Sequence, residues 1–304
     1  MRTTPKPSPA AVPDLARRSG LLAILATLLS GCSAAGVLDS LVAHDTYRGE
    51  QGLPYGPDPR QRVDIFRPLQ AAPSGTAGYP VVVFFYGGAW TRGNRADYRF
   101  VGEALAAHGA IAVLADYRLS PQVRYPEFLQ DSALAVRWVF DQATALGGDG
   151  AQIFLMGHSA GAYNAAMLAL DPRWLRAVQL EPARLAGWIG IAGPYDFLPI
   201  RNPDAQVAFN WPDTSPETQP IAHASAKAPR ALLLGASTDD LVNPQRNTVG
   251  LAQRLTALGA SATVQLFGGV SHTTILASMA RPLNWLAPVL PEVLGFLGLP
   301  RQSS

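Results

Sequence analysis

A short stretch in the middle of the chain constrains the fold more than any other. Residues 153–156 (IFLM) form a continuous apolar run with the length of a buried strand, and residues 160–170 (AGAYNAAMLAL) are rich in Ala and Leu, as helices are. Only Gly157, His158 and Ser159 lie between the two segments. The sequence therefore predicts a buried strand that passes through a tight turn directly into a helix.

The same alternation of strand and helix patterns extends along most of the chain. Further apolar runs predict strands, the first of them at an edge of the sheet, at residues 62–66, 80–86, 110–115, 187–192, 231–234 and 263–267. Helical spacing of apolar residues predicts helices over residues 128–145, 245–258 and 286–297. Strands that are apolar on both faces and separated by helices predict an α/β fold, with a mostly parallel sheet flanked by helices on both faces. Residues 196–228 are rich in Pro, Asn and Asp and predict a small lid insert.

The turn between residues 157 and 161 carries the first chemical signal. Its sequence, Gly-His-Ser-Ala-Gly, matches the pattern G-x-S-x-G, in which a strained strand-to-helix turn exposes a serine hydroxyl above the edge of a sheet. The helix that follows would direct its free N–H groups toward a reacting carbonyl. Ser159 is therefore the predicted nucleophile, and it requires a base beside it because a serine at its ordinary pKa is a poor nucleophile.

The position of each histidine relative to the strands identifies the base. In folds with this turn, the serine acts together with an acidic residue and a histidine, a catalytic triad. The three follow one another along the chain as Ser, then Asp or Glu, then His. His272 follows the predicted strand 263–267 through a short glycine-containing loop, so it is the predicted base. The other four histidines precede the serine, adjoin it or lie in the insert; they are His44, His108, His158 and His223.

The acid of the triad should lie at the end of the predicted strand 231–234. Asp239 and Asp240 both follow this strand, and the residues alone leave the two alternatives open. Asp196, which follows the strand 187–192, is a third candidate that better suits a brace of its own loop. The acid would hold the imidazole in one tautomer and stabilise its charged form.

A glycine-containing loop after the strand 80–86 predicts the oxyanion hole. A tetrahedral intermediate needs two N–H donors, one from the residue after the serine and one from this loop. These are Ala160 and Gly88, with Gly87 as the neighbouring possibility. Trp90 either lines the substrate pocket or packs in the core.

Several motifs together resemble the α/β-hydrolase family, in its carboxylesterase, hormone-sensitive-lipase-like and kynurenine-formamidase-like branch. They are VVVFFYGGAW, ADYRLSP, YPEFLQDSALAVRWV, GHSAG, GPYDF, DDLV and SHTT. The resemblance covers residue 60 to the C-terminus. It implies hydrolysis of a small-molecule carboxylic ester with a short acyl group, through a Ser-His-Asp triad and an acyl-enzyme, without a cofactor. The family pattern D-x-x-V favours Asp239 as the acid.

Two alternative functions and one departure accompany this resemblance. The same residues would serve an arylformamidase or other amidase-type hydrolase, and a non-catalytic envelope binding protein could be built on the same scaffold. The family usually has His at the position of Tyr86, where it orients the oxyanion loop. Asp116, Arg118 and Asp131 match motif positions that we interpret as structural.

The N-terminal segment predicts export. Arg17 and Arg18 precede the apolar run 21–29, which is too short to span a bilayer and ends at Leu-Ser-Gly-Cys. This tetrapeptide resembles the lipobox of bacterial lipoproteins, which implies cleavage before Cys32 and lipidation of this single cysteine. We therefore expect a signal peptide at residues 1–31, a lipidated tether and entry to the sheet at 32–60, and the catalytic domain at 61–304. The protein would be lipid-anchored in a bacterial cell envelope, facing the periplasm or the exterior.

Charge excludes some other partners. The chain has a formal net charge of +2, but its first 31 residues carry four basic residues and one acidic residue. The remainder is therefore slightly acidic and shows no basic patch typical of nucleic-acid binding. No spacing of Cys and His typical of a metal site is present, so we expect neither nucleic acid nor metal as a partner.

Overall fold

The computed structural model describes residues 42–43, 45–72 and 75–301, and these contain one eight-stranded sheet. Its strands are β1 (Tyr47–Pro54), β2 (Arg62–Pro68), β3 (Tyr79–Phe85), β4 (Ile111–Ala115), β5 (Gly148–His158), β6 (Gly187–Ile191), β7 (Ala231–Ala236) and β8 (Ala262–Phe267). Their order across the sheet is β1-β2-β4-β3-β5-β6-β7-β8. The first three strands in this order pair antiparallel, and all later pairs are parallel. The predicted α/β fold is confirmed.

The strand predicted at residues 62–66 is not at the edge of the sheet, so that detail of the prediction was wrong. β1 pairs along the outer side of β2 and forms the edge itself, and it lies within the segment predicted to be a tether and entry to the sheet. β1 (YRGEQGLP) is mostly exposed and lacks an apolar run, because a strand at an edge has few side chains to bury. β2 is almost entirely buried.

Eight α-helices connect and cover the strands in the described part of the chain. They are α1 (Arg99–Ala107), α2 (Glu127–Gln142), α3 (Ala160–Leu170), α4 (Pro172–Ala177), α5 (Pro203–Ala208), α6 (Gly250–Ala257), α7 (Thr274–Ala277) and α8 (Val289–Leu297). The helix predicted over 245–258 consists of a π-helix, Gln245–Val249, followed by α6. None of the helices in the described ranges is long and apolar enough to cross a membrane.

The core lies against the central strands and encloses α3. Every residue of α3 is buried, since this helix packs on β5 and β6 and is covered by α2 and α4. Its small side chains allow the backbones to approach closely: a Cβ placed on Gly161 would lie 2.0 Å from the carbonyl oxygen of Phe85. Helix α3 is therefore held in a fixed position against the carboxyl ends of the central strands.

A buried carboxylate secures the segment between β4 and α2. Asp131, which is fully buried, accepts two hydrogen bonds of 2.8 Å from the guanidinium of Arg118 and one of 2.7 Å from Gln61. Asp116 forms a salt bridge with Arg95. Paired, hydrogen-bonded carboxylates of this kind fix the local geometry of the segments that they join.

Candidate active site

The turn between β5 and α3 presents Ser159. β5 ends at His158 and α3 begins at Ala160, so the serine is the single residue between them, with φ +53° and ψ −121°. An L-residue adopts this conformation only under constraint. The Ser159 amide donates to the Ile191 carbonyl at 2.9 Å, and the Ser159 carbonyl accepts from Tyr163 at 3.1 Å. These bonds hold the strained residue in place.

The structure brings together three of the predicted site residues as a hydrogen-bonded relay. The Ser159 hydroxyl lies 2.8 Å from Nε2 of His272, and Nδ1 of His272 lies 2.7 Å from Oδ2 of Asp239. His272 and Asp239 are both buried. With Asp239 accepting at Nδ1, the proton of the neutral imidazole resides on Nδ1, and Nε2 is free to accept the serine proton.

The loop after β7 stabilises the ionised form of Asp239. Burial, the largest single cause, raises the pKa of Asp239, but the hydrogen bond and electrostatic attraction from His272, together with backbone hydrogen bonds, outweigh it. The amides of Leu241 and Val242 add two bonds of 2.9 Å to Oδ1. The net result is that the pKa of Asp239 lies below its ordinary value. The carboxylate is therefore charged at neutral pH.

The competing acids take other positions. Asp240, next to Asp239, is exposed and lines the cavity rather than contacting the imidazole. Asp196 forms a bidentate salt bridge of 2.8 and 2.9 Å with Arg246, which also donates to the Leu198 carbonyl. It braces the loop after β6, as expected.

The remaining histidines are not positioned as bases. His158 lies behind His272 and donates from Nε2 to its carbonyl oxygen at 2.8 Å. His108 contacts the Ala104 carbonyl on α1, and His223 contacts the Glu217 carbonyl in the insert. His44 and Cys32 lie outside the described residues.

The predicted oxyanion-hole residues border the same cavity as the relay. Residues 87–93, here called the oxyanion loop, follow β3, and Gly87 is so close to the serine that a Cβ on it would lie 2.9 Å from the Ser159 Cβ. Gly87, Gly88 and Ala160 all line the cavity. In the part of the chain that the structure describes, no protein acceptor is bonded to the amides of these three residues. They are available to a substrate oxygen.

Trp90 combines the two positions that the sequence left open. It lines the cavity, yet only 3% of its surface is exposed. Its indole N–H donates to Oδ1 of Asn164 at 3.0 Å. Its ring packs at centroid distances of 4.7–6.1 Å against four aromatic rings, those of Phe128, Tyr163, Phe197 and Phe209. Trp90 is therefore a rigid wall of the cavity.

The cavity measures about 700 Å³ and is bounded on one side by the insert between β6 and β7. Phe197, Ile200 and Arg201 of this insert line it, as does Asp240 of the loop after β7.

The π-helix residue Asn247 supports the site without having been predicted from the sequence. Its Oδ1 accepts from the amides of Tyr195 and Asp196 at 2.6 and 2.8 Å. An isolated Asn in a helical pattern gives no signal of such a contact.

The described residues contain no group of three or more His, Cys, Asp or Glu side chains placed to hold a metal ion. The chemistry that the geometry supports is nucleophilic attack by a base-assisted serine. The amides of Gly87, Gly88 and Ala160 belong to residues that line the same cavity, and amides without a protein acceptor can stabilise the negative charge that such an attack creates.

Comparison with known proteins agrees with the fold and identifies the family. The BD-FAE family model matches residues 63–255. Probable isoprenylcysteine alpha-carbonyl methylesterase ICMEL1 of Arabidopsis thaliana is 28% identical over 247 residues, which are 74% of this chain and 51% of that protein. Esterase LipC of Mycobacterium tuberculosis is 28% identical over 257 residues, which are 78% of this chain and 63% of LipC. The chain thus spans about half to two thirds of the length of these relatives.

Solved structures share the fold at lower identity. A hyperthermophilic esterase from Pyrobaculum calidifontis aligns with a TM-score of 0.72 at 22% identity, covering 93% of this chain and 97% of that one. A truncated carbohydrate esterase from gut microbiota aligns with a TM-score of 0.71 at 19% identity, covering 84% and 97%. Both likenesses show the α/β-hydrolase fold. The BD-FAE family model matches more than half of the residues of this chain, and the chain therefore belongs to the BD-FAE family of α/β-hydrolases.

Proposed function

We propose that this protein hydrolyses carboxylic esters with short acyl groups through an acyl-enzyme on Ser159. The observation that carries the proposal is the relay of two short hydrogen bonds from Ser159 through His272 to Asp239, at the wall of a cavity. Relatives that bear the names esterase and methylesterase support it. The roles of the individual residues are part of the proposal.

Acylation begins when the Ser159 oxygen attacks the carbonyl carbon of the ester. Its proton passes to Nε2 of His272, and the positive imidazolium is stabilised by the carboxylate of Asp239. The carbonyl oxygen becomes negative and accepts hydrogen bonds from the amides of Ala160 and Gly88, with Gly87 adjacent. These interactions are stronger in the tetrahedral state than in the bound ester, so they accelerate the reaction.

The tetrahedral state then collapses to the acyl-enzyme, and the acyl group is released in the second half of the reaction. The bond between the carbonyl carbon and the alcohol oxygen breaks, and the alcohol leaves with the proton held by His272. Water then attacks the acyl-serine, giving its proton to His272, and the second tetrahedral state releases the carboxylic acid. The proton returns to Ser159, which restores the free enzyme.

The rigid wall formed by Trp90 supports the preference for short acyl groups. An indole that is bonded to Asn164 and packed on four rings cannot move aside without losing those contacts. A long acyl chain directed at this wall has to leave the cavity into water. Short chains bind without that cost.

Hydrolysis of p-nitrophenyl esters from acetate to dodecanoate tests the proposal. We expect the acetate and butyrate to turn over fastest, and Ser159→Ala to lose nearly all activity. Ser261→Ala, at an exposed serine beside β8, is the matched control and should behave as wild type. Labelling by a fluorophosphonate probe should disappear in Ser159→Ala alone.

Other outcomes of this experiment would point elsewhere. Hydrolysis of an arylformamide with no turnover of any ester would replace the proposal with an amidase function. A wild-type protein that neither hydrolyses substrates nor reacts with the probe would refute catalysis and favour a binding role.

We also propose that Cys32 anchors the protein to a bacterial envelope membrane. The support is the sequence Leu-Ser-Gly-Cys at the end of an apolar run, in a segment outside the described residues. Metabolic labelling with an alkyne fatty acid should mark the wild type and not Cys32→Ser, and the variant should leave the membrane fraction. Equal labelling of both would refute the anchor.

A further inference from the structure

We propose that Arg60 and Tyr86 form a positioning pair that fixes the oxyanion loop in the geometry needed to stabilise the tetrahedral state. This inference rests on the proposed esterase function, because the loop acts only when an oxyanion forms. Neither side chain would touch the substrate. Both would act by holding the backbone of the oxyanion loop, residues 87–93, in position.

Arg60 connects the two ends of the oxyanion loop. Its Nη2 donates to the hydroxyl of Tyr86 at 2.9 Å, just before the loop, and also to the carbonyl of Gly93 at its end. Its Nε donates to the carbonyl of Tyr117 at 2.8 Å, which ties the guanidinium to the segment after β4. One rigid, planar group thus fixes three points relative to one another.

Tyr86 forms the floor on which the end of the loop lies. Its buried ring stacks between Tyr98 and Tyr117, at centroid distances of 5.5 and 4.9 Å. A Cβ placed on Gly93 would lie 2.6 Å from two carbons of this ring, so the loop returns directly onto it. The carbonyl of Tyr86 accepts from the hydroxyl of Tyr117 at 2.8 Å. The residue is held by both its ring and its backbone.

The loop needs such anchors because its middle is strained. Ala89 and Trp90 are consecutive non-glycine residues with φ of +51° and +61°, a conformation that L-residues rarely adopt. Trp90 is fixed by its contacts with Asn164 and the aromatic cluster. If one end is released, the loop can relax, and the amide of Gly88 moves with it.

The partners of Arg60 argue against a purely structural ion pair. Among the described residues, Arg60 forms no salt bridge with a carboxylate, whereas Arg95 and Arg118 nearby both do. Its guanidinium is bonded to neutral oxygens that belong to the loop or support it. The guanidinium therefore holds backbone segments in position and does not neutralise a buried carboxylate.

The test compares Tyr86→Phe with Tyr55→Phe. Both substitutions remove one buried hydroxyl that makes a hydrogen bond; that of Tyr55 donates to the Asp116 carbonyl at 2.6 Å, outside the oxyanion loop. For each variant, kcat and KM are measured with p-nitrophenyl acetate, and Ki with a trifluoromethyl ketone that forms a tetrahedral adduct on the serine. Melting temperatures report the loss of stability.

We expect Tyr86→Phe to lower kcat about tenfold with KM changed less than about twofold, because the loop acts mainly on the transition state. The Ki of the ketone should rise by the same factor by which kcat/KM falls. Tyr55→Phe should lower the melting temperature comparably and leave kcat and Ki unchanged. Arg60→Lys keeps the charge but not the planar guanidinium, and it should repeat the kinetic pattern of Tyr86→Phe. It provides the same test if Tyr86→Phe does not fold.

The outcomes separate this inference from the proposed function. If wild type hydrolyses the ester and both Tyr86→Phe and Arg60→Lys match Tyr55→Phe in kcat and Ki, the pair does not position the loop and the inference is overturned. If wild type neither hydrolyses the ester nor binds the ketone, the proposed function itself fails. A parallel loss of kcat and ketone affinity in the two loop variants alone supports the pair.

Discussion

His158, the residue before the proposed nucleophile, should make the stability of the protein depend on pH. Its ring is buried against His272, and in the described part of the chain its Nδ1 has no hydrogen-bond partner. Burial, with a smaller contribution from the neighbouring His272, lowers the pKa of His158 from 6.5 to about 3. The folded protein therefore keeps this imidazole neutral at mildly acidic pH.

The sign and size of the effect follow from proton linkage. Below pH 6.5 the unfolded chain binds a proton at His158 that the folded protein does not bind until about pH 3. The free energy of unfolding is thus unaffected above this window and falls as the pH decreases through it. Each pH unit inside the window corresponds to about 1.4 kcal/mol, so a change from pH 7 to pH 5 should cost about 2 kcal/mol through this residue.

Two substitutions separate the titration from the hydrogen bond. His158→Gln removes the titration but retains an N–H donor for the carbonyl of His272, and His158→Leu removes both. Urea unfolding followed by circular dichroism at pH 7, 6 and 5 gives the free energy of unfolding of each protein. Between pH 7 and 5 both variants should lose about 2 kcal/mol less than wild type, since the other titrating groups are common to all three. At pH 7, His158→Leu should be about 1 kcal/mol less stable than His158→Gln, because the carbonyl loses its donor.

Parallel pH profiles for the three proteins would refute the reasoning. They would mean that His158 has the same pKa in the folded and unfolded states, so that burial does not destabilise the charged ring. A steeper profile for His158→Gln than for wild type would contradict even the direction of the shift.

Three further predictions concern the acid, the serine-bearing turn and the buried bracket. Asp239→Asn should lower kcat for p-nitrophenyl acetate by about 10³- to 10⁴-fold, whereas Asp240→Asn should remain within about threefold of wild type; the reverse ranking would assign the acid to Asp240. Gly161→Ala should sharply lower the melting temperature and soluble yield, since its Cβ would lie 2.0 Å from the Phe85 carbonyl oxygen, and a wild-type melting temperature would contradict the close approach of helix and strand. Asp131→Ala should lower the free energy of unfolding by about 2–3 kcal/mol in urea, because the partly exposed guanidinium and the buried amide that bind it lose their acceptor, and a loss below about 0.5 kcal/mol would count against the bracket.

The fold could be predicted where burial leaves a continuous pattern. β3, β6, β7 and the second half of β5 are buried on both faces because helices cover both sides of the sheet, and they lie where apolar runs predicted them. The first half of β5 (GDGAQ) is polar and partly exposed, and the apolar pattern did not predict it. β1 has exposed residues along most of its length, so its pairing with β2 depends on backbone hydrogen bonds that any sequence can make. Nothing in its residues distinguishes it from a loop.

Site residues could be predicted from the sequence only where they come directly after a recognisable strand. The G-x-S-x-G turn and the loop after β8 identified Ser159 and His272, which the structure places 2.8 Å apart. The choice between Asp239 and Asp240 depends on which carboxylate the loop turns toward the imidazole, and neighbouring residues of equal chemistry cannot encode that. Arg60 acts on residues 26 and 33 positions away through the fold alone, so it gives no local signal.

Four of the six non-glycine residues with positive φ in the described part of the chain lie where the buried sheet can hold them; the other two, Gln179 and Asn210, follow the short helices α4 and α5. Ala89, Trp90, Ser159 and Ala192 all have positive φ without being glycine, and each follows the carboxyl end of a central strand. Each such residue costs of order 1–2 kcal/mol and would relax if it were free. The amides of Ser159 and Ala192 donate to carbonyls of the neighbouring strands β6 and β7, at 2.9 and 2.8 Å, so the hydrogen-bond ladder continues past the ends of β5 and β6 and through the strained positions. The apolar burial that determines the fold therefore also holds the proposed nucleophile in its exposed conformation, which explains why the strongest sequence signal lies directly before Ser159.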